Sequence, residues 1–172
     1  MNRRKFLQAA LLTPVVLIAG VKTVAMARHY PLDELLTQLK RLPPEKLFSK
    51  GNWSVSMILQ HLAQSIRYSR LGYPQAKSVL FQYTAGTTAL NVFTASGSMT
   101  HPLDEAIPGA PALIAEVPND VAMAELIAEI GQFIAWQGEL APHFAYGNLT
   151  KAQYYNAHYL HIQNHLSEIS LG

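Results

Sequence analysis

Residues 150–169, TKAQYYNAHYLHIQNHLSEI, have the periodicity of an amphipathic helix. Thr150 belongs to the residue types that cap a helix N-terminus by accepting a hydrogen bond from a backbone N–H. The stretch therefore predicts a helix from Thr150 to about Ile169 that buries one face against other helices. The expected core face is Tyr155, Tyr159, Ile162, Leu166 and Ile169.

Three histidines, His158, His161 and His165, follow a stripe at the edge of that face. His161 and His165 are four residues apart, which puts their Cβ atoms about 6 Å apart on one side of the helix. Two imidazoles in that arrangement can bind one metal ion. The spacing alone is a weak signal, because a helix rich in histidine produces it easily. Solvated or hydrogen-bonded histidines are the alternative.

Three more helices are predicted from apolar spacing and helix-stop residues. They cover about 31–42, 53–71 and 120–137, with Asn52 or Ser54 capping the second and Asn119 or Asp120 capping the third. Four long helices joined by a long crossover predict an all-α fold, a four-helix bundle. In the helix over 120–137 the residues expected to point inward are Val121, Leu126, Ile130, Phe133 and Ile134.

Two connecting regions are less regular. Residues 75–93 are long enough for a helix, but Gly86 and its β-branched neighbours weaken helix propensity, so a strand stays open there. Residues 101–119 hold four prolines and are expected to form a long loop, which in a compact domain is often functional.

The first 27 residues have the organisation of an export signal, with a basic start, an apolar run and a small-residue cleavage pattern at 25–27. Arg3-Arg4-Lys5-Phe6-Leu7-Gln8 resembles the twin-arginine motif. We expect residues 1–27 to be cleaved, leaving a periplasmic domain of residues 28–172 with no stable membrane insertion. An uncleaved N-terminal membrane anchor is the alternative.

Composition excludes several function classes. The 172 residues include no cysteine, which rules out disulfides, cysteine-ligated zinc, iron–sulfur clusters and a cysteine nucleophile. The whole chain carries +2, but four basic and no acidic residues lie in 1–27, so residues 28–172 carry −2. Because that charge is negative and the basic residues are scattered, nucleic acid is not expected as a partner.

His61 lies beside the inward stripe of the helix predicted over 53–71. If this helix packs next to the last one, His61 can supply a third metal ligand to His161 and His165. Three neutral imidazoles leave at least one coordination position open, as in catalytic sites.

The chain also resembles the DinB-like (YfiT-like) superfamily of metal-dependent four-helix bundles with long crossovers. The resemblance rests on Gly51-Asn52-Trp53-Ser54, on Ile58-Leu59-Gln60-His61-Leu62-Ala63, on the H-x-x-x-H element His161–His165 and on Pro142-His143-Phe144. It implies that His61, His161 and His165 bind nickel, zinc or iron, and that the bundle forms a homodimer. His158 on the same stripe leaves an alternative ligand pair, His158 and His161.

The resemblance further implies a metal-dependent hydrolase or thiol transferase acting on a small-molecule substrate. Two other readings stay open: a non-catalytic helical binding module with incidental histidines, and a b-type haem bundle using Met57 and a histidine of the last helix. Glu168, Gln60 and Gln64 are candidates for orienting a ligand, with surface roles as the alternative. His101 and His143, in loops, are further candidates for ligands or acid–base groups.

Overall fold

The computed structural model describes residues 20–172, and the predicted twin-arginine motif lies outside them. The described chain is mostly helical, in agreement with the predicted all-α class. Residues 20–27 are helical. The later helices are Leu32–Leu39 (α1), Val55–Leu71 (α2), Val79–Ser96 (α3), Asn119–Ala135 (α4) and Lys151–Leu166 (α5). Helix α3 is continuous but consists of Val79–Phe81, a π-helical part at Gln82–Gly86, and Thr87–Ser96. None of the helices in residues 20–172 is both long and apolar enough to cross a membrane.

The core lies where α2 packs along α4, while α1 contacts α4 and α5, and α5 also contacts α2. Each fully buried leucine, isoleucine or phenylalanine side chain contributes about 1.5–3 kcal/mol through the hydrophobic effect. The largest side chains removed from solvent include Leu32, Leu39, Ile58, Leu62, Leu126, Ile130, Phe133 and Tyr154.

Two details of α4 differ from prediction. Val121 is 54% exposed, and Ala122 and Met123 are buried instead. Val121 stands about 140° around the helix from Leu126, because each residue turns the helix by about 100°. The N-cap position is Pro118, without a side-chain cap. The predicted helix start was therefore about one residue late.

Ser54 and Thr150 cap α2 and α5 as predicted, and Thr150 forms a capping box with Gln153. The helix α5 ends at Leu166 rather than Ile169. There the backbone N–H groups of Ser167 and Glu168 bond three residues back, to Asn164 and His165, which tightens and terminates the helix.

A short two-stranded sheet was not predicted. Leu47–Ser49 (β1) pairs antiparallel with Ile169–Leu171 (β2), with Phe48 opposite Ser170. Strands of three residues are too short to produce a readable alternation of apolar and polar positions. The pairing ties the end of α5 to the segment that precedes α2.

The buried face of α5 is also displaced from its predicted position. Tyr155 and Tyr159 are only half-buried, and His158 and His165 are 2% and 0% exposed. The two histidines are buried because other rings pack on them: Phe133 and Tyr154 contact His158, and Trp53 stacks on His165. The histidines, predicted at the edge of the core face, therefore lie inside the molecule.

The segment with weak helix propensity forms α3 rather than a strand, and its π-helical part, Gln82–Gly86, ends at the glycine expected to weaken the helix. Gly86 is required there because a Cβ atom would stand 1.9 Å from the carbonyl oxygen of Ala145. Gly97 ends α3 with a left-handed φ of 81°. The predicted loop follows as residues 97–118, without helix or strand.

Candidate metal centre

Three imidazole nitrogens from two helices converge at one point. Nε2 of His61 on α2 lies 3.2 Å from Nε2 of His161 on α5, and Nε2 of His165 lies 3.1 Å from that same His161 atom. Ligand atoms of the three residues all lie within 4.8 Å of one another. Two nitrogens bound to one tetrahedral zinc at about 2.0–2.1 Å would be about 3.3 Å apart. The two separations measured from Nε2 of His161 are close to that value.

Linear hydrogen bonds account for only one of the two contacts at Nε2 of His161. A neutral imidazole nitrogen has either one proton or one lone pair, so it takes part in one hydrogen bond in the ring plane. Nε2 of His161 nevertheless has two nitrogen neighbours at hydrogen-bond distance. A cation between the rings satisfies all three lone pairs at once. The donor set therefore fits a single metal ion.

The electrostatics keep these rings neutral. Burial lowers the pKa of His61 to about 4, with a smaller effect from His101. Burial, together with His61 and His101, lowers the pKa of His165 to about 2. The pKa of His161 falls well below its ordinary value for the same reasons. Unprotonated imidazole is the form that binds metal, so the cluster is ready to do so at neutral pH.

Local sequence positions each ligand. Ser54 starts α2, and six residues of helix then place His61 on the buried side. Trp53, just outside the helix, lies with its ring centroid 5.2 Å from that of His61. It also stacks parallel to His165 at 6.4 Å. The indole thus covers one side of the cluster and restricts the orientation of two rings.

Gln60 and Gln64 do not orient the histidines. The Gln60 amide donates to the carbonyl of Ile114 and accepts from its N–H, at 2.8 and 3.1 Å. Gln64 donates to the carbonyl of Pro111 at 3.1 Å. These two residues attach the loop 97–118 to α2 on either side of His61.

His101 lies in that loop and belongs to the same cluster of rings. Its ring centroid is 4.9 Å from that of His161 and 5.1 Å from that of His165. The prolines of this region predicted a loop. Sequence patterns do not say where a loop runs in three dimensions, so the position of His101 could not be derived from them.

The other candidates have separate roles. His143 accepts N–H groups of Ala145 and Tyr146 at Nδ1, at 3.1 and 3.3 Å, which organises the turn before α5. The Glu168 carboxylate lies against Gly51, so close that a Cβ there would meet it at 2.5 Å. His158 is outside the convergent group and packs between Phe133 and Tyr154, with its pKa lowered to about 3 by burial.

A cavity of about 250 Å³ adjoins the cluster. His61, His101 and His161 form part of its wall, and aromatic side chains such as Phe93 and Phe144 form much of the rest. A ligand in this cavity would therefore reach the convergent nitrogens directly.

Fold and site together define a mostly helical protein with a buried histidine cluster that can hold a metal ion. The chain belongs to the family described as "Protein of unknown function (DUF1569)", whose model matches residues 25–171. No curated protein and no solved structure matches the sequence.

Proposed function

We propose that the protein is an exported, DinB-like four-helix bundle that binds a divalent transition metal through His61, His161 and His165. In this proposal it acts as a metal-dependent hydrolase or transferase on a small molecule. The observation that carries the proposal is the pair of short contacts at Nε2 of His161, because one imidazole nitrogen forms only one linear hydrogen bond.

The donor chemistry narrows the choice of metal. Three neutral imidazoles suit zinc, nickel and iron, whereas magnesium and calcium prefer oxygen ligands. The contacts between nitrogens also favour one small ion over a b-type haem, whose two axial ligands stand on opposite sides of the iron.

The cavity supports a catalytic role. Three protein ligands leave at least one coordination position for an outside group, and His61 and His161 face the cavity. A divalent ion held there polarises a coordinated oxygen or sulfur and acts as a Lewis acid.

One observation favours the alternative of a non-catalytic binding module. The buried Nδ1 atoms of His61 and His165 have no hydrogen-bond partner among the described residues. Histidine ligands of metal enzymes usually donate this N–H to a carboxylate or carbonyl. Turnover therefore has to be tested separately from metal binding.

Support for the DinB-like bundle comes from the packing of α1, α2, α4 and α5 and from the inward histidine that follows Trp53-Ser54. Support for export comes from the residue pattern of 1–27.

Replacing both arginines of that pattern (Arg3→Lys with Arg4→Lys) should retain the protein in the cytoplasm. Unchanged delivery to the periplasm would contradict the twin-arginine route, and retention of the full chain in the membrane would favour the anchor.

Zinc titration against a competing chelator tests the binding step. We expect one zinc per wild-type chain and at least 100-fold weaker binding in His61→Ala, His161→Ala and His165→Ala. His29→Ala is the matched control, because His29 is an exposed histidine at the other end of α5. Equal affinity in all five proteins would contradict the proposal.

A further inference from the structure

The His101 ring lies as close to the rings of His161 and His165 as the rings of the cluster lie to one another. Its ring centroid lies 4.9 Å from His161 and 5.1 Å from His165. The centroids of His61, His161 and His165 are separated by 4.8 to 5.1 Å. Four imidazoles from three parts of the chain therefore share one packed volume.

The hydrogen bonding of His101 fixes which of its nitrogens is free. Its Nδ1 lies 2.7 Å from the carbonyl oxygen of Pro102. Since a carbonyl oxygen only accepts, Nδ1 carries the proton and Nε2 of the neutral ring carries the lone pair. That Nε2 atom is buried and has no partner among the described residues. A ring that donates one N–H to a backbone carbonyl and keeps the other nitrogen free is typical of a metal-bound histidine.

The position of His101 is built into the fold. The loop that carries it is attached to α2 by Gln60 and Gln64, the residues on either side of His61. Asn52 adds a hydrogen bond of 2.7 Å to Asp104. The same helix therefore positions His61 directly and His101 through the loop.

The loop also has apolar anchors on both sides of His101. Met99 and Ile107 are 5% and 4% exposed. Burial of these two side chains holds the backbone between them against the helices, in addition to the hydrogen bonds from α2. His101 is thus restrained in the direction of the cluster.

We propose that His101 is a fourth ligand to the ion held by His61, His161 and His165. This inference rests on the proposed metal site and revises its geometry: with His101 bound, a substrate would join the ion as a fifth ligand or in place of the His101 ring. It assigns to the loop 97–118 the role of completing the site from the side of the cavity, which His101 lines together with His61 and His161. Loss of the His101 ring should therefore open a coordination position that faces the cavity.

Cobalt(II) is the probe for the test, because its visible absorption reports the number and type of ligands. We compare the wild type with His101→Ala, His101→Phe and the exposed-histidine control His29→Ala. The phenylalanine variant keeps a ring packed in the loop but removes the nitrogen, so it separates ligation from loop packing. Circular dichroism and thermal unfolding establish that each variant is folded.

The expected result is one cobalt in every protein, with affinity at least about 10-fold lower in both His101 variants, because even a group that only orients a metal ligand typically contributes that much. Their visible spectra should differ from wild type, and added imidazole should restore a wild-type-like spectrum in His101→Ala. Imidazole should leave the wild type and His29→Ala unchanged.

Two results would overturn the inference while leaving the three-histidine site intact. One is wild-type cobalt affinity and spectrum in His101→Ala. The other is wild-type affinity in His101→Phe alone, which would assign the effect to packing of the loop. Failure of the wild type itself to bind cobalt would instead remove the metal site on which the inference rests.

Discussion

The Nε2 atoms of His61 and His161 lie 3.2 Å apart although the residues are separated by 100 positions in sequence. The contact brings α2 and α5 together at a point where both side chains are neutral and polar. Two buried lone pairs at this distance repel one another unless a proton or a cation lies between them. The fold therefore maintains an arrangement that metal binding would stabilise.

The buried histidines predict a pH-dependent stability of the metal-free protein. The folded-state pKa values of His61 and His158, about 4 and about 3, lie below the unfolded value of about 6.5. At pH values between the folded-state and the unfolded-state pKa, the unfolded chain binds protons that the folded chain does not. The free energy of unfolding should therefore fall as pH drops below 6.5, by about 1.4 kcal/mol per pH unit for each such histidine.

Urea unfolding in the presence of a chelator, at intervals from pH 7.5 to 5, measures this slope. His158→Phe, which keeps a buried ring without a titrating nitrogen, should lower the slope by about 1.4 kcal/mol per pH unit. A free energy of unfolding that stays constant over this range would show that the histidines are not buried in neutral form.

Trp53 should report metal binding by fluorescence. Its ring lies 5.2 Å from His61 and stacks on His165, so a paramagnetic ion at the cluster will quench its emission. The second of the two tryptophans, Trp136, packs under Arg70 and donates to the carbonyl of Glu139. Arg70 is nine residues beyond His61, about 13 Å along α2. We expect nickel to quench Trp136→Phe strongly and Trp53→Phe weakly; the reverse order would place the ion elsewhere.

The ion pairs between α2 and α4 should stabilise the fold independently of the metal. Glu129 accepts from Arg67 at 2.8 Å and pairs with Arg70, whose side chain is 7% exposed. Glu129→Gln leaves this arginine charge buried without its partner, which costs about 3–5 kcal/mol. Glu125→Gln removes an acid that is 38% exposed and should cost less than about 1 kcal/mol. Denaturant titration of the two variants checks the difference, and equal losses would contradict it.

Two glycines provide a matched pair for testing how closely α3 packs on the turn before α5. Gly86→Ala places a Cβ 1.9 Å from the Ala145 carbonyl oxygen, whereas a Cβ at Gly131 in α4 meets nothing within 4 Å. Gly131→Ala should therefore stabilise the protein by about 0.5–1 kcal/mol, because alanine loses less backbone entropy than glycine in a helix. Gly86→Ala should destabilise it and lower its melting temperature. A neutral Gly86→Ala would show that the two backbones are not in contact.

Sequence patterns predicted those parts of this molecule that have a helical periodicity. Helical spacing and cap residues located α2 and α5 to within two or three residues and put His61, His161 and His165 on helices. They failed where the position of a residue depends on contacts with segments that have no helical or strand periodicity. The three-residue strands have no readable pattern. The burial of His158 and His165 depends on Phe133 and Trp53, which pack on them from other helices and segments.

The loop 97–118 shows the same limit at the site. Gln60 and Gln64 were predicted either to orient a ligand or to lie on the helix surface. Their actual partners, Ile114 and Pro111, are about fifty residues away in sequence. Nothing in the local sequence specifies that pairing. The proximity of His101 to the cluster follows from it and is visible only in three dimensions.

Elemental analysis of the protein purified from cells without added metal tests the central claim most directly. The wild type and His29→Ala should contain close to one equivalent of zinc, nickel or iron per chain. Folded His161→Ala and His165→Ala should contain almost none. A metal-free, stably folded wild type, or the same metal content in the His161 and His165 variants as in the wild type, would contradict the account.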